Sequence, residues 1–221
     1  MRRVGLITIG QSPRVDVVPE IRRVLGDADV ELIECGALDK LSREEIAALT
    51  PERGEYVLVT RLRDGSEVKV ARDKILPLIH GCISMLEPLV DVLGLLCTGE
   101  FPELRSRKLL VEPSNLLLKV VESLKVSKLG VIVPDPAQID LTKRKWRHVT
   151  SDLSVLSVSP YTGTLEELRK ASEELRDRDL IVLDCIGFNT EAKKVVATVS
   201  GKPVLVPRTL LARVLRELVE V

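Results

Sequence analysis

The chain has 221 residues, 45% of them hydrophobic and 2% aromatic, and its 33 Lys+Arg balance 33 Asp+Glu to a formal net charge of zero. That balance excludes a general nucleic-acid binder, which carries a basic excess, and a base-stacking platform, which needs aromatic side chains. No apolar run reaches the ~20 residues that span a bilayer, so neither nucleic acid nor membrane is expected as a partner.

Met1–Gly10 is basic and then apolar, but Thr8 and Gly10 break the apolar stretch and no small-residue cleavage site follows. It reads as a first strand, Val4–Ile9, and not as a signal peptide. A helix follows over Asp16–Leu25, with Pro19 in its first turn, where a missing N–H costs little. Val30–Cys35 is a second strand. Ser42-Arg43-Glu44-Glu45 has capping-box spacing and opens a helix to Leu49. Glu55–Arg63 and Ser66–Ala71 then alternate apolar and polar residues about Asp64-Gly65, which predicts a hairpin with a two-residue turn over about 55–71, either a lid or an edge decoration. Asp73 caps a helix to about Leu89, with Leu78, Cys82, Leu86 and Leu89 at helical spacing. The remainder alternates regularly. Strands are expected at Val92–Cys97, Lys108–Val111, Lys128–Val133, Ser154–Val158, Leu180–Leu183 and Pro203–Val206. Helices fall between them, and a last helix covers Leu210–Val219. Apolar strands separated by helices imply parallel sheets covered on both faces, an α/β fold.

The chain also repeats itself. Leu95-Leu96-Cys97-Thr98-Gly99-Glu100-Phe101 parallels Val182-Leu183-Asp184-Cys185-Ile186-Gly187-Phe188. Lys108–Ser114 parallels Lys202–Arg208: a short strand, a Pro, then a Leu-rich helix. The expectation is two pseudo-symmetric α/β halves with a cleft between them. The first covers residues 1–125, and the second covers 126–221, with the last helix packing back on the first half.

A Cys at the carboxyl end of a parallel strand lies where open α/β sheets place ligands. A following helix start favours anions and lowers a thiol's pKa. One such thiol per half suits two-base chemistry. One thiolate takes a proton from carbon, and the thiol opposite returns one to the other face. The enolate-like state then needs oriented donors, for which Thr98, Ser114, Asn189, Thr190 and helix-start N–H groups are candidates, together with Gly99 and Gly187 of the two motifs. Thr98, Ser114, Asn189 and Thr190 read equally well as helix caps. Arg14 can pair bidentately with a carboxylate or sit on a helix surface. Cys35 and Cys82 lack the symmetry and read as free, core-packing thiols. Asp184, inside an apolar strand, requires a partner, either to orient a catalytic group or to tie strands together. The run Lys143–Arg147 reads as a solvated helix face, and His80 and His148 as structural.

Thr8-Ile9-Gly10-Gln11-Ser12-Pro13-Arg14, the segments Leu95–Phe101 and Leu183–Phe188, Val131-Ile132-Val133-Pro134 and Lys145-Trp146 together resemble the AroM family, over essentially the whole chain. The paired cysteines resemble the wider aspartate/glutamate racemase group. That resemblance implies two α/β domains with the site between them, Cys97 and Cys185 as the catalytic pair, and Gln11 and Ser12 of the first-strand loop as substrate-binding residues. The motifs depart from amino-acid racemases, which usually show Cys-Asn-Thr or Gly-Cys-Thr at these points. The reading is a cofactor-independent racemase or isomerase of a small carboxylate or acidic amino acid. The alternatives are a two-lobed small-molecule sensor without turnover, and a lyase or decarboxylase using one thiol.

No Walker A, G-x-G-x-x-G, Cys-x-x-Cys or metal-ligand spacing occurs, so no nucleotide, cofactor or metal is expected. Four well-separated cysteines point to a soluble, cytosolic protein, and the resemblance allows a homodimer. Gln11, Asn115, Gln138 and Asn189 are the only side-chain amides. With abundant charge, that scarcity suggests a thermophile.

Overall fold

Short apolar strands bounded by capped helices dictate the layout. The computed structural model describes residues 1–220. The first half runs β1 (Arg2–Thr8), α1 (Val18–Leu25), β2 (Val30–Gly36), α2 (Arg43–Ala48), β3 (Val57–Arg61), β4 (Glu67–Ala71), α3 (Arg72–Leu86), β5 (Val92–Leu96), β6 (Leu109–Val111) and α4 (Pro113–Leu124). The second runs β7 (Lys128–Val133), a 3₁₀ turn at Pro136–Gln138, α5 (Ile139–Trp146), β8 (Asp152–Ser157), α6 (Leu165–Glu174), β9 (Leu180–Leu183), α7 (Thr190–Ser200), β10 (Val204–Leu205) and α8 (Pro207–Val219).

Each half holds a four-stranded, wholly parallel sheet. The orders are β2-β1-β5-β6 and β8-β7-β9-β10, so the strands correspond one to one. Both faces are covered, as continuous apolar strands require. In β5, Leu93 and Leu95 face the α3 side, while Val92 and Leu96 face α1 and α8.

The halves exchange their last helices. From the second half, α8 lays Leu211, Leu215 and Val219 against Val4, Leu6 and Val92 of the first sheet. From the first half, α4 lays Leu117 and Val121 against Leu129, Val131 and Val182 of the second sheet. The Leu-rich stretches recognised as a repeat are these two exchanged helices.

Several local expectations change. The β3–β4 turn is longer than two residues. Leu62 N donates to Ser66 O, and Gly65 takes φ +92°. A three-residue turn with a left-handed glycine results, because Asp64 turns to accept from Ser66 N and Oγ. Asp73 does not cap α3. It lies inside the first turn, and Ala71 precedes the helix without a side-chain cap. The buried face of α3 is Ile75, Ile79, Cys82, Ile83 and Leu86, while Leu89 is exposed. Cys35 and Cys82 are not free thiols. They form a disulfide between β2 and α3, with Cα atoms 5.7 Å apart and a sequence separation of 47. That spacing suits a disulfide, and the separation hides it from a reading of the chain.

Candidate active site

The two strand-end motifs meet. Cys97 follows β5 and Cys185 follows β9, both thiols are free and buried, and both line one cavity between the halves. Each sulfur accepts from the N–H two residues on: Gly99 N at 3.3 Å and Gly187 N at 3.4 Å. The repeat therefore reproduces a thiol held by a backbone donor on each side of the cleft.

Burial pushes the Cys97 thiol up to about 12, against the opposing pull of the Gly99 N–H, and the nearby Cys185 adds to the rise. Burial pushes Cys185 up to about 11, opposed by the Gly187 N–H and by the positive charges of Arg14 and Arg208. Lys145 at Cys97, and Arg14 with Arg208 at Cys185, favour the thiolate, while Asp184 opposes it at both.

Asp184 finds the partner its burial demands. Lys145 Nζ lies 2.9 Å and 3.2 Å from its two oxygens and 3.3 Å from Thr98 O, and Trp146 Nε1 donates at 3.1 Å. Both charged side chains of the pair are 4% exposed. Lys145 and Trp146 are therefore core residues and not part of a solvated face, whereas Lys143, Arg144 and Arg147 are exposed. Thr142, Lys145 and Trp146 share one buried stripe of α5 at helical spacing. The hydroxyl of Thr98 donates to Asp184 O at 3.0 Å, a second bond across the cleft.

The β3–β4 hairpin roofs this cavity with Tyr56, Leu58, Val59 and Thr60. It reaches the second half through Gln138 Nε2 to Val57 O (2.9 Å), Lys69 to Asp135 (2.5 Å) and Glu67 to the Ser159 hydroxyl. The cavity volume is about 30 Å³, room for a water molecule or two.

Of the residues singled out in the sequence, Thr98 and Gly99 line the cavity with both thiols, and Gly187 lies outside its wall, linked to it only by donating to Cys185 Sγ. The others lie elsewhere. Arg14 is buried and already engaged: Nε and Nη2 bind Asp16 at 2.8 Å each, Nη1 binds Thr8 Oγ1, and Nη2 also reaches Tyr161 Oη. Gln11 ties the β1 loop to Leu38 O and Arg63 N, and Ser12 binds Asp39. Asn189 caps α7 by accepting from Ala192 N, and Thr190 N donates to Glu20. Ser114 is buried at the start of α4 without a hydrogen-bond partner among the described residues, outside the cavity wall. Phe101 and Phe188 are core anchors, each 2% exposed.

Sequence reasoning missed Lys145, Tyr56 and Thr60 as cavity residues. For Lys145 a signal existed: Asp184 in an apolar strand needs a cation, and Lys145 is the one beside the only Trp. For the hairpin residues nothing local distinguishes a roof from an edge. Arg208 was also missed. It is buried and joins Ile186 O and Gly187 O to Asp16 O and Glu20, fastening the Cys185 loop to α1.

Comparisons with known proteins agree with this architecture. A family model described as AroM protein matches residues 4–219. No curated protein sequence matches. Among solved structures, aspartate racemase of Picrophilus torridus is 15% identical with a TM-score of 0.62, covering 99% of this chain and 94% of its own. Maleate isomerase Iso of Pseudomonas putida S16 is 17% identical with a TM-score of 0.64, covering 100% and 93%. Glutamate racemase of Aquifex pyrophilus is 15% identical with a TM-score of 0.60, covering 99% and 84%. At these identities the likeness is one of fold.

Proposed function

The chain belongs to the AroM family, and on that premise and its racemase-like fold we propose a cofactor-independent racemase or isomerase of a small carboxylate or acidic amino acid. One observation carries this reading: repeat-equivalent thiols from opposite halves, each held by a backbone N–H, line a single cavity.

In the proposed cycle Cys185, a thiol in the resting protein, first loses its proton to solvent, a loss that the nearby Arg14 and Arg208 favour. It takes the proton from the carbon beside the substrate carboxylate, and the electron pair moves into that carboxylate as an enolate. The Cys97 S–H then gives its proton to the opposite face of the carbon and is left as the thiolate. The reverse direction exchanges the two roles, so no proton acceptor beyond that first loss is required. Thr98 and the Gly99 backbone frame the region where the enolate develops, and Lys145, paired with Asp184 and Thr98 O, fixes that wall. Arg14 acts here through the Cys185 field and not as a direct carboxylate ligand, because Asp16, Thr8 and Tyr161 already occupy its guanidinium.

The test is solvent deuterium exchange into a panel of small carbon acids, beginning with both enantiomers of aspartate. Exchange is expected in the wild type, with a loss of about 10²–10⁴-fold in both Cys97→Ala and Cys185→Ala. Exchange surviving both substitutions eliminates the thiol pair. Activity surviving one of them indicates a one-thiol lyase or decarboxylase. Ligand-induced stabilisation without any exchange indicates a sensor. The cellular setting we propose is the cytoplasm of a thermophile. Scarce side-chain amides support it, and so does the Cys35–Cys82 disulfide, since intracellular proteins of hyperthermophiles carry disulfides.

A further inference from the structure

The N–H that each thiol accepts from belongs to a glycine, and backbone conformation does not explain why. Neither Gly99 nor Gly187 takes a left-handed φ, so the main chain at both places would accept a side chain. Space would not. A Cβ at Gly99 would lie 2.7 Å from Leu58 Cδ2 of the hairpin. At Gly187 the crowding comes from the loop between β8 and α6. A Cβ there would lie 2.6 Å from Tyr161 Cζ, 2.7 Å from Tyr161 Oη and 2.6 Å from Pro160 Cγ. The hydroxyl end of Tyr161 therefore rests directly on the residue whose N–H holds Cys185 Sγ.

Tyr161 is itself held at both ends. Ser159 Oγ accepts from Tyr161 N at 3.0 Å and from Thr162 N at 3.2 Å, and donates to Glu67 of the hairpin. Tyr161 Oη accepts from Arg14 Nη2 at 3.0 Å, a donor that comes from the first half. Asp16 and Thr8 hold that guanidinium in place. Arg208 grips the same Cys185 loop by the carbonyls of Ile186 and Gly187. The loop is thus fixed at its carbonyls by one arginine, and at Gly187 by a phenol that a second arginine fixes. Burial, and then the neighbouring Cys185, raise the Tyr161 phenol and keep it neutral.

We propose that Tyr161 is a positioning residue for Cys185: its hydroxyl end, anchored by Arg14, presses on Gly187 and keeps that N–H on the sulfur as the thiol becomes a thiolate. This rests on the reading that Cys185 works as a thiolate. A hydrogen bond to the charged form favours that form, so a contact that maintains the bond maintains the thiolate. It also makes the Cys185 donor depend on a bond between the halves.

The test follows ionisation of each thiol by NMR of isotope-labelled cysteine in the full chain, so that no reagent has to reach the cavity. Cys35 and Cys82, joined as a disulfide, do not titrate. The charged groups about Cys185 are Arg14, Arg208 and Asp184, with Cys97 opposite, and Tyr161→Phe alters none of them. Tyr161→Phe should delay Cys185 ionisation by about one pH unit, or about tenfold less thiolate at a fixed pH, and leave Cys97 nearly unmoved. Gly187→Ala, whose Cβ claims the place of the hydroxyl end, should also delay Cys185 selectively. The double variant should add little to the larger single delay, since both substitutions break one contact. An unchanged Cys185, an equal delay at both thiols, or additive delays would overturn the proposal. A selective delay in a protein whose wild type shows no deuterium exchange would keep the positioning role and reject the racemase reading. Wild-type exchange with no delay in Tyr161→Phe would do the reverse.

Discussion

Cys97 and Cys185 are thiols kept protonated by their surroundings. Burial raises them to about 12 and about 11 from an ordinary value of 9.0. The folded state therefore holds these protons more tightly than the unfolded chain. Their contribution to stability is complete below pH 9 and is lost as pH rises through the folded values. The buried Tyr56 and Tyr161 phenols are raised in the same direction. Urea midpoints should fall between about pH 9 and 12, and the Cys97→Ala/Cys185→Ala double variant should fall less steeply. Lys145 and Asp184 provide a second prediction. Lys145→Ala leaves a buried carboxylate with Trp146 Nε1 as its remaining side-chain donor, and such a loss typically costs about 3–5 kcal/mol. Replacing both charges, as in Lys145→Met with Asp184→Leu, should cost clearly less in urea denaturation. Equal losses would mean that the pair contributes nothing beyond its separate packing.

Among the elements, β2 and α3 are tied by the one feature that crosses the first half covalently. The Cys35–Cys82 disulfide closes a loop with a sequence separation of 47, and constraining a loop of that length in the unfolded chain stabilises by about 4 kcal/mol in the chain-entropy account. Reduction, or Cys35→Ala with Cys82→Ala, should lower the melting temperature by roughly 10 °C. An unchanged melting temperature after verified reduction would refute a stabilising role. The same pair frames the hairpin: β3 and β4 leave the sheet between β2 and α3 and return to it at α3.

At the scale of the whole molecule, the exchange of α4 and α8 makes the halves interdependent. Without α8, the first sheet exposes the face bearing Val4, Leu6 and Val92, and without α4 the second exposes Leu129, Val131 and Val182. Neither half buries enough apolar surface alone. Fragments 1–125 and 126–221 expressed separately should lack cooperative unfolding by circular dichroism. When co-expressed they should recover it as a complex. A fragment that folds cooperatively alone would show the exchange to be dispensable. Interdependence also serves the site, because Arg208 of α8 and Lys145 of α5 each bond to groups of the first half.

The reach of the sequence has a physical limit at each of these levels. Strand and helix identities were legible because period and capping are local: the Ser42 capping box and the parallel Cys-x-Gly strand ends are visible in a few residues each. Two pseudo-symmetric sheets followed from the repeat, since similar segments bury similar faces. The disulfide, the saturation of Arg14 and the position of Thr60 were not legible. Each depends on which distant groups meet, and that is decided by packing after the chain has closed on itself. Composition had already set the stage: a neutral, aromatic-poor chain with four cysteines. Tertiary structure alone assigned those cysteines, two to a brace and two to a shared cavity, because a sulfur's role depends on what lies within a few ångströms of it.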